Sequence, residues 1–326
     1  MMQLGLVGIG AGAAAALLFA SVASGSWLSI VLFYLAPLPI MIAGLGWSHW
    51  AAMVAVLSAA LAVGAVFGST LFFAFLAGAG IPAWWLSYLA LLARPATAGS
   101  NGSASAPLEW YPPGRLVAWA ALLAALVVVV AIPNFGTDAE SFRNALHTAL
   151  LRMFQVTGSE PDAARTDRLV GFLVTAIPPA AAILATITNV LNLWLAARVV
   201  NFSGLLKRPW PDLAAMTFPR SMIAALAVAM AVSFAGGLVG VVAGVLSASL
   251  MMAYGILGFA VLHAITRDIK TRSFVLGGVY ASVAVFGWPI LALCLLGIAE
   301  AAFDLRARAA RRRAQSGPPG GPPTRT

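Results

Sequence analysis

Charge is what this sequence has least of. Only 9% of its 326 residues are Asp, Glu, Lys or Arg, against roughly 25% in a soluble domain. With 61% hydrophobic residues and a mean hydropathy of +0.95, that shortfall excludes a water-soluble globule and indicates a chain that folds in a bilayer. Cysteine is nearly absent: Cys294 stands alone in an apolar run, which excludes a disulfide framework and a cysteine zinc cluster. The only lysines are Lys207 and Lys270, so the net charge of +9 is an arginine charge. These cations stand at the ends of apolar runs, as the positive-inside rule requires, so nucleic acid is not an expected partner. His49, His147 and His263 lie too far apart to make a ligand motif, and no metal or cofactor is expected. The nucleotide-binding loop, HExxH and GxSxG are all missing, so the chain is not expected to be an enzyme. Its Asp and Glu residues read as loop or tail residues, which argues against a carrier driven by an intramembrane carboxylate.

What is there is a series of apolar runs of the length, about 20 residues, that spans a bilayer. The first run offers a small-x-small site at Ser21-Val22-Ala23, but Met1 to Gly10 contains no Lys or Arg, so it reads as a retained span. Spans are expected at 4–23, 27–46, 49–68 and 69–93, then 116–132, 169–196, 221–235 and 238–265. A last apolar segment follows at 274–298. In the first span, Gly8-xxx-Gly12 and Ala16-xxx-Ala20 permit close helix approach, ordinarily within the same molecule. Pro37-Leu38-Pro39 should bend or unwind the second helix after Tyr34, since neither proline offers an N–H to the ladder. Pro82 ahead of Trp84-Trp85 suggests a further interruption or an aromatic interfacial belt, and Pro178-Pro179 another interruption. In the final segment, Gly287-Trp288-Pro289 leaves open either one span or a broken hairpin.

The connections differ in kind. Residues 94–114 are Gly/Ser/Ala/Pro-rich and read as a linker with a disordered middle. Thr137 to Val156 carries a capping-box pattern, Thr137 with Glu140, ahead of an apolar stripe of Phe142, Leu146, Ala149, Leu150 and Met153. It is expected to be an external amphipathic helix, lying flat or capping a pocket. The loop 198–220 holds Arg198, Lys207, Arg208 and Arg220 against Asp212, which places it in the cytoplasm. Parity then puts the N-terminus, 94–114 and 266–272 on the same side. A broken hairpin keeps the basic, disordered tail at 311–326 there as well. The expected fold is therefore an all-α integral membrane protein: one compact polytopic bundle over 1–310, with about eight spans and a C-terminal broken apolar segment.

Polar residues inside the spans are the candidate sites. Asn189 and Asn192 share a helix face near the cytoplasmic end, and a buried amide needs a partner. Tyr34, Pro37 and Pro39 mark the broken helix, and His263 ends another span. Interhelical hydrogen bonding and ligand binding are both open to this set. Arg198, and Asp304 with Arg306 as an interfacial ion pair, are candidates for docking lipid or a protein partner.

Several stretches carry a family resemblance: Pro37-Leu38-Pro39; Leu191-Asn192-Leu193 with Arg198 and Phe218-Pro219; Leu257-Gly258-Phe259-Ala260-Val261-Leu262-His263; and Gly297 through Phe303-Asp304-Leu305-Arg306. Together they resemble the YybS-like bacterial membrane proteins, a domain of unknown function, over residues 5 to 310. That family is grouped with substrate-capture subunits of energy-coupling vitamin transporters. The resemblance implies a bacterial inner-membrane protein with an outward pocket, hence small-molecule capture or permease-like transport. The other reading is a membrane scaffold that docks other membrane proteins and moves no solute.

Overall fold

The computed structural model describes residues 2–95, 108–156, 163–267 and 269–308. It is helical almost throughout, in the order α1 (Met2–Ala20), α2 (Trp27–Tyr34), α3 (Pro37–Gly46), α4 (His49–Phe67), α5 (Ser69–Phe75), α6 (Ile81–Ala90) and α7 (Pro113–Ala131). There follow α8 (Ala139–Val156), α9 (Ala163–Phe202), α10 (Ser221–Ser233), α11 (Gly237–Ile265), α12 (Arg272–Phe286) and α13 (Ile290–Phe303). One small departure from an all-α fold is a two-stranded antiparallel ribbon, β1 (Ala93–Pro95) with β2 (Leu108–Trp110), which pairs the two ends of the linker. The expected disorder of the linker's middle and of the tail at 311–326 lies outside the described residues.

Among the described residues, seven helical rods are long and apolar enough to cross a membrane. Polar caps start some of them: the Ser26 and Ser48 side chains accept from Ser29 and Ala51 N–H at the heads of α2 and α4. Two expected interruptions are absorbed. A π-helical turn at Leu76–Gly80 joins α5 to α6 ahead of Pro82. The 40-residue α9 continues without a break past Pro178 and Pro179, whose fixed φ suits a helix even though each removes a donor. The expected span 221–235 is shorter in the structure. Pro219 and the left-handed Gly236 and Gly237 trim α10 to 13 residues, about 20 Å against the ~30 Å hydrocarbon core.

The chain forms two compact units, Met1–Pro211 with Ala224–Ala253, and Asp212–Ile223 with Tyr254–Thr326. In the first, α3 packs against α1, α4, α6 and α9, while α7 lies along α9. Its core is largely alanine: Ala15, Ala52, Ala55, Ala59, Ala83 and Ala120 are fully buried. Small residues bring the backbones close, because apolar burial alone does not draw helices together in lipid. The Gly8-xxx-Gly12 face is used inside the molecule; a Cβ on Gly12 would strike Ser58 Oγ and the Ala55 carbonyl of α4.

The amphipathic α8 packs on the first turns of α9 and not over a pocket mouth. Leu150 is buried with Val170 and Val174, and Leu146 and Leu151 border that cluster. Phe142 is buried too, whereas Met153, expected on the same stripe, is exposed. His147 faces Asp167 of α9 at 3.2 Å. The cap sits one residue later than the sequence pattern suggests. Asp138, not Thr137, accepts from the Glu140 and Ser141 N–H groups at 2.9 Å, and its own N–H donates to Ser141 Oγ. The Ser141 N–H and hydroxyl, followed by the Glu140 N–H, hold the Asp138 carboxyl below its ordinary range. A depressed carboxylate stabilises the fold fully above its unfolded value, roughly 3.9, and loses that contribution as pH falls through the lower folded value. Protection factors at Glu140 and Ser141 should therefore drop in acid below about pH 4. Asp138→Asn, which keeps a capping oxygen, should abolish that pH dependence. An unchanged acid response in the variant would show that another group controls it.

In the second unit, the last turns of α11 meet α13 at unusually short range. A Cβ on Gly258 would fall on the Leu293 carbonyl, and one on Gly297 on that of Tyr254, so the two helices run antiparallel. The expected break is present. Gly287 adopts a left-handed φ of 71° and separates α12 from α13, helices of 15 and 14 residues.

Candidate functional site

The broken second span and the asparagine helix meet at one hydrogen-bonded junction. Pro39 has no N–H to offer the Leu35 carbonyl, so Leu38 N–H turns back to it at 3.0 Å. Leu38 would otherwise serve the Tyr34 carbonyl. Asn192 of α9 fills that gap: its Nδ2 donates to Tyr34 O at 2.8 Å and to Thr188 O at 2.9 Å. Two carbonyl acceptors fix which end of the amide is nitrogen. The side chain is 1% exposed, and its Oδ1 is buried with no hydrogen-bond partner among the described residues. One turn earlier, Asn189 Nδ2 donates to the Ala120 carbonyl of α7 at 3.3 Å. Tyr34, Pro39 and Asn192 thus come together, with Pro37 in the same helix break, and Tyr34 contributes its backbone oxygen. The two asparagines tie α9 to the second and fifth rods.

Three cations of the expected 198–220 loop are held by the first unit itself, although α9 runs on to Phe202, so that Arg198 is helical and the loop begins later than expected. Arg198 lies 5.8 Å from the Trp194 ring and 5.2 Å from that of Trp210. Lys207 Nζ donates to the Trp47 carbonyl at 2.9 Å, at the C-terminal end of α3. Arg208 is buried and donates from one terminal nitrogen to Ala90 O at 3.0 Å, where α6 ends, and to Tyr111 O at 3.3 Å. Helix C-termini present unpaired carbonyls and a partial negative charge, which these cations satisfy. Burial pulls the Arg208 pKa down from the ordinary guanidinium value. Sequence reasoning saw Arg208 only as part of a basic loop; its carbonyl acceptors leave no trace in a residue pattern.

The second unit holds a charged clamp. Arg306 Nε donates to Glu300 Oε1 at 2.7 Å and its backbone N–H to Oε2 at 3.0 Å. Its terminal nitrogens reach the carbonyls of Ala214 and Met216. The expected Asp304–Arg306 pair is therefore corrected. Asp304 is the left-handed cap of α13, with φ 49°, and this turn carries Arg306 back to Glu300. Glu300, read as a tail residue, lies in the last turn of α13, its side chain 7% exposed. Asp212 of the same strapped loop faces Arg267 at 3.6 Å. His263 belongs to this unit. Its Nδ1 faces Arg272 at 3.4 Å, which leaves Nε2 to donate to the Tyr280 hydroxyl at 2.9 Å.

Asn189 and Asn192 turn to backbone carbonyls, and α8 packs on α9. A concavity of about 380 Å³ lies between α1 and α3, lined by Val7, Gly10, Ala11, Leu38, Pro39, Ile42, Ala43 and Trp47. Among the described residues, no group of three or more His, Cys, Asp or Glu is placed to hold a metal ion.

A family profile described as "Predicted membrane protein (DUF2232)" matches residues 13–300, and the chain belongs to that family. No curated protein and no solved structure matches it.

Proposed function

We propose that this member of the family is a membrane scaffold, a rigid multi-pass frame that docks other membrane proteins and carries no polar solute. The observation behind this reading is the use of the Asn192 amide. The residue best placed to recognise a solute bridges two backbone carbonyls, one of them freed by Pro39. Asn189, Lys207 and Arg208 act in the same way at three other backbone carbonyl sites. Polar groups used so consistently as ties build a frame. From the resemblance to YybS-like bacterial proteins we take the inner membrane as its location, and by the charge rule we orient it with the N-terminus and the 198–220 loop in the cytoplasm. Native mass spectrometry of gently solubilised protein tests the scaffold: a stoichiometric protein partner supports it, and a retained polar metabolite contradicts it. Cysteines introduced in 198–220 should resist an external reagent, while those in 138–153 should react; the reverse pattern contradicts the orientation.

A second reading, capture of an apolar small molecule, draws on the groove between α1 and α3. It also draws on the resemblance to YybS-like proteins and the transporter subunits grouped with them. A small apolar molecule bound in fixed ratio would favour it.

A further inference from the structure

We infer that the groove between α1 and α3 is a site for an anionic phospholipid, with one acyl chain in the groove and the phosphate at Lys207. The lining is wholly apolar in residue type and includes Gly10, Ala11, Pro39 and Ala43, with Trp47 at one end. Leu38 to Trp47 is ten residues of helical chain, about 13 Å from first to last. That is close to the ~15 Å depth of one hydrocarbon leaflet. Tryptophan favours the headgroup level, so the Trp47 end is the end nearest water.

At that end the structure supplies a cation. Residues 1–93 contain no Asp, Glu, Lys or Arg, so a charge near this groove must come from elsewhere in the chain. Lys207 brings it: its ammonium sits 2.9 Å from the Trp47 carbonyl and stays exposed. One carbonyl engages one of three ammonium donors, leaving the others for a phosphate. The flanking loop is built for an interface. Phe202 is 95% exposed beside the polar Asn201 and Ser203, Leu205 is also exposed, and Arg198 stacks on Trp210. Aromatic and apolar side chains beside cations favour headgroup contact with anionic lipid. An apolar slot one leaflet deep, with a tryptophan and a lysine at its mouth, matches a phospholipid better than a helical partner. A helix needs no charge at that level. This inference does not depend on the scaffold reading.

Full-length protein in nanodiscs of phosphatidylcholine with a minor fraction of phosphatidylglycerol provides the test, with bound lipid read by native mass spectrometry after gentle release. One retained phosphatidylglycerol, enriched over phosphatidylcholine, is expected. Lys207→Gln should lower that enrichment about five-fold, the effect of one interfacial cation, and Lys270→Gln should leave it unchanged. Ala11→Phe, which fills the groove, should remove the retained lipid of either kind. If that variant fails to fold by circular dichroism, Ile42→Trp serves the same purpose from the opposite wall. Equal retention of the two lipids, an unaffected Lys207→Gln, or full retention in a folded groove-filled variant would each overturn the site.

Discussion

Replacing Glu300 by alanine should destabilise the C-terminal unit by about 3–5 kcal/mol, the range for breaking a buried ion pair from one side. The pair is well enclosed, with side-chain exposures of 15% for Arg306 and 7% for Glu300. Removing the carboxylate leaves a guanidinium facing only the Ala214 and Met216 carbonyls and frees the Arg306 backbone N–H. The loss should appear as a lower Tm. Hydrogen exchange should also rise across 212–223, because Arg306 straps that loop to the end of α13. Glu300→Leu combined with Arg306→Met should recover much of the loss, since a matched apolar pair removes both desolvation penalties. A Glu300→Ala protein with unchanged Tm and unchanged exchange in 214–216 would show that the clamp does not hold the loop.

Arg208→Met carries the second largest expected effect, about 1–3 kcal/mol. Methionine replaces the apolar stem but ends short of the guanidinium and leaves the Ala90 and Tyr111 carbonyls without their donor. Those carbonyls lie on either side of the ribbon, where Tyr111 N–H also bonds Leu92 O at 2.9 Å. The damage should therefore be local, with faster exchange at Leu91, Leu92 and Tyr111. Arg208→Lys should rescue poorly, because its ammonium ends one bond short of the single guanidinium nitrogen that reaches both carbonyls. Full rescue by lysine would mean that charge, and not geometry, is what this position supplies.

The apolar rods were legible because a bilayer imposes length and hydropathy on each one separately. The second helix's break at Pro37-Leu38-Pro39 and the need of Asn192 for a partner were equally legible. Their union was not. Tyr34 and Asn192 are 158 residues apart, and the acceptor is a backbone oxygen that no side-chain pattern marks. The shifted cap of α8 has a similar cause: Thr137 and Asp138 are both good caps, and only backbone geometry chooses between them. Arg306 was paired with the wrong acid because a left-handed turn at Asp304 reverses the chain and brings a residue six positions back into reach. At 221–235 hydropathy suggested a span where only 13 residues, Ser221–Ser233, are helical, too few for the ~30 Å hydrocarbon core.

Asn192 acts as a structural tie made necessary by Pro39. A double-mutant cycle of Asn192→Leu with Pro39→Ala, read as unfolding free energy in mixed micelles, tests it directly. Alone, Asn192→Leu should cost about 1–2 kcal/mol, an interhelical bond with its acceptor left buried. In the Pro39→Ala background, the backbone N–H gained at that position can serve Leu35 O and return Leu38 N–H to Tyr34 O. The same Asn192→Leu substitution should then cost less than about half as much, a coupling that a cycle resolves. An identical cost in both backgrounds, or none in either, would contradict the account.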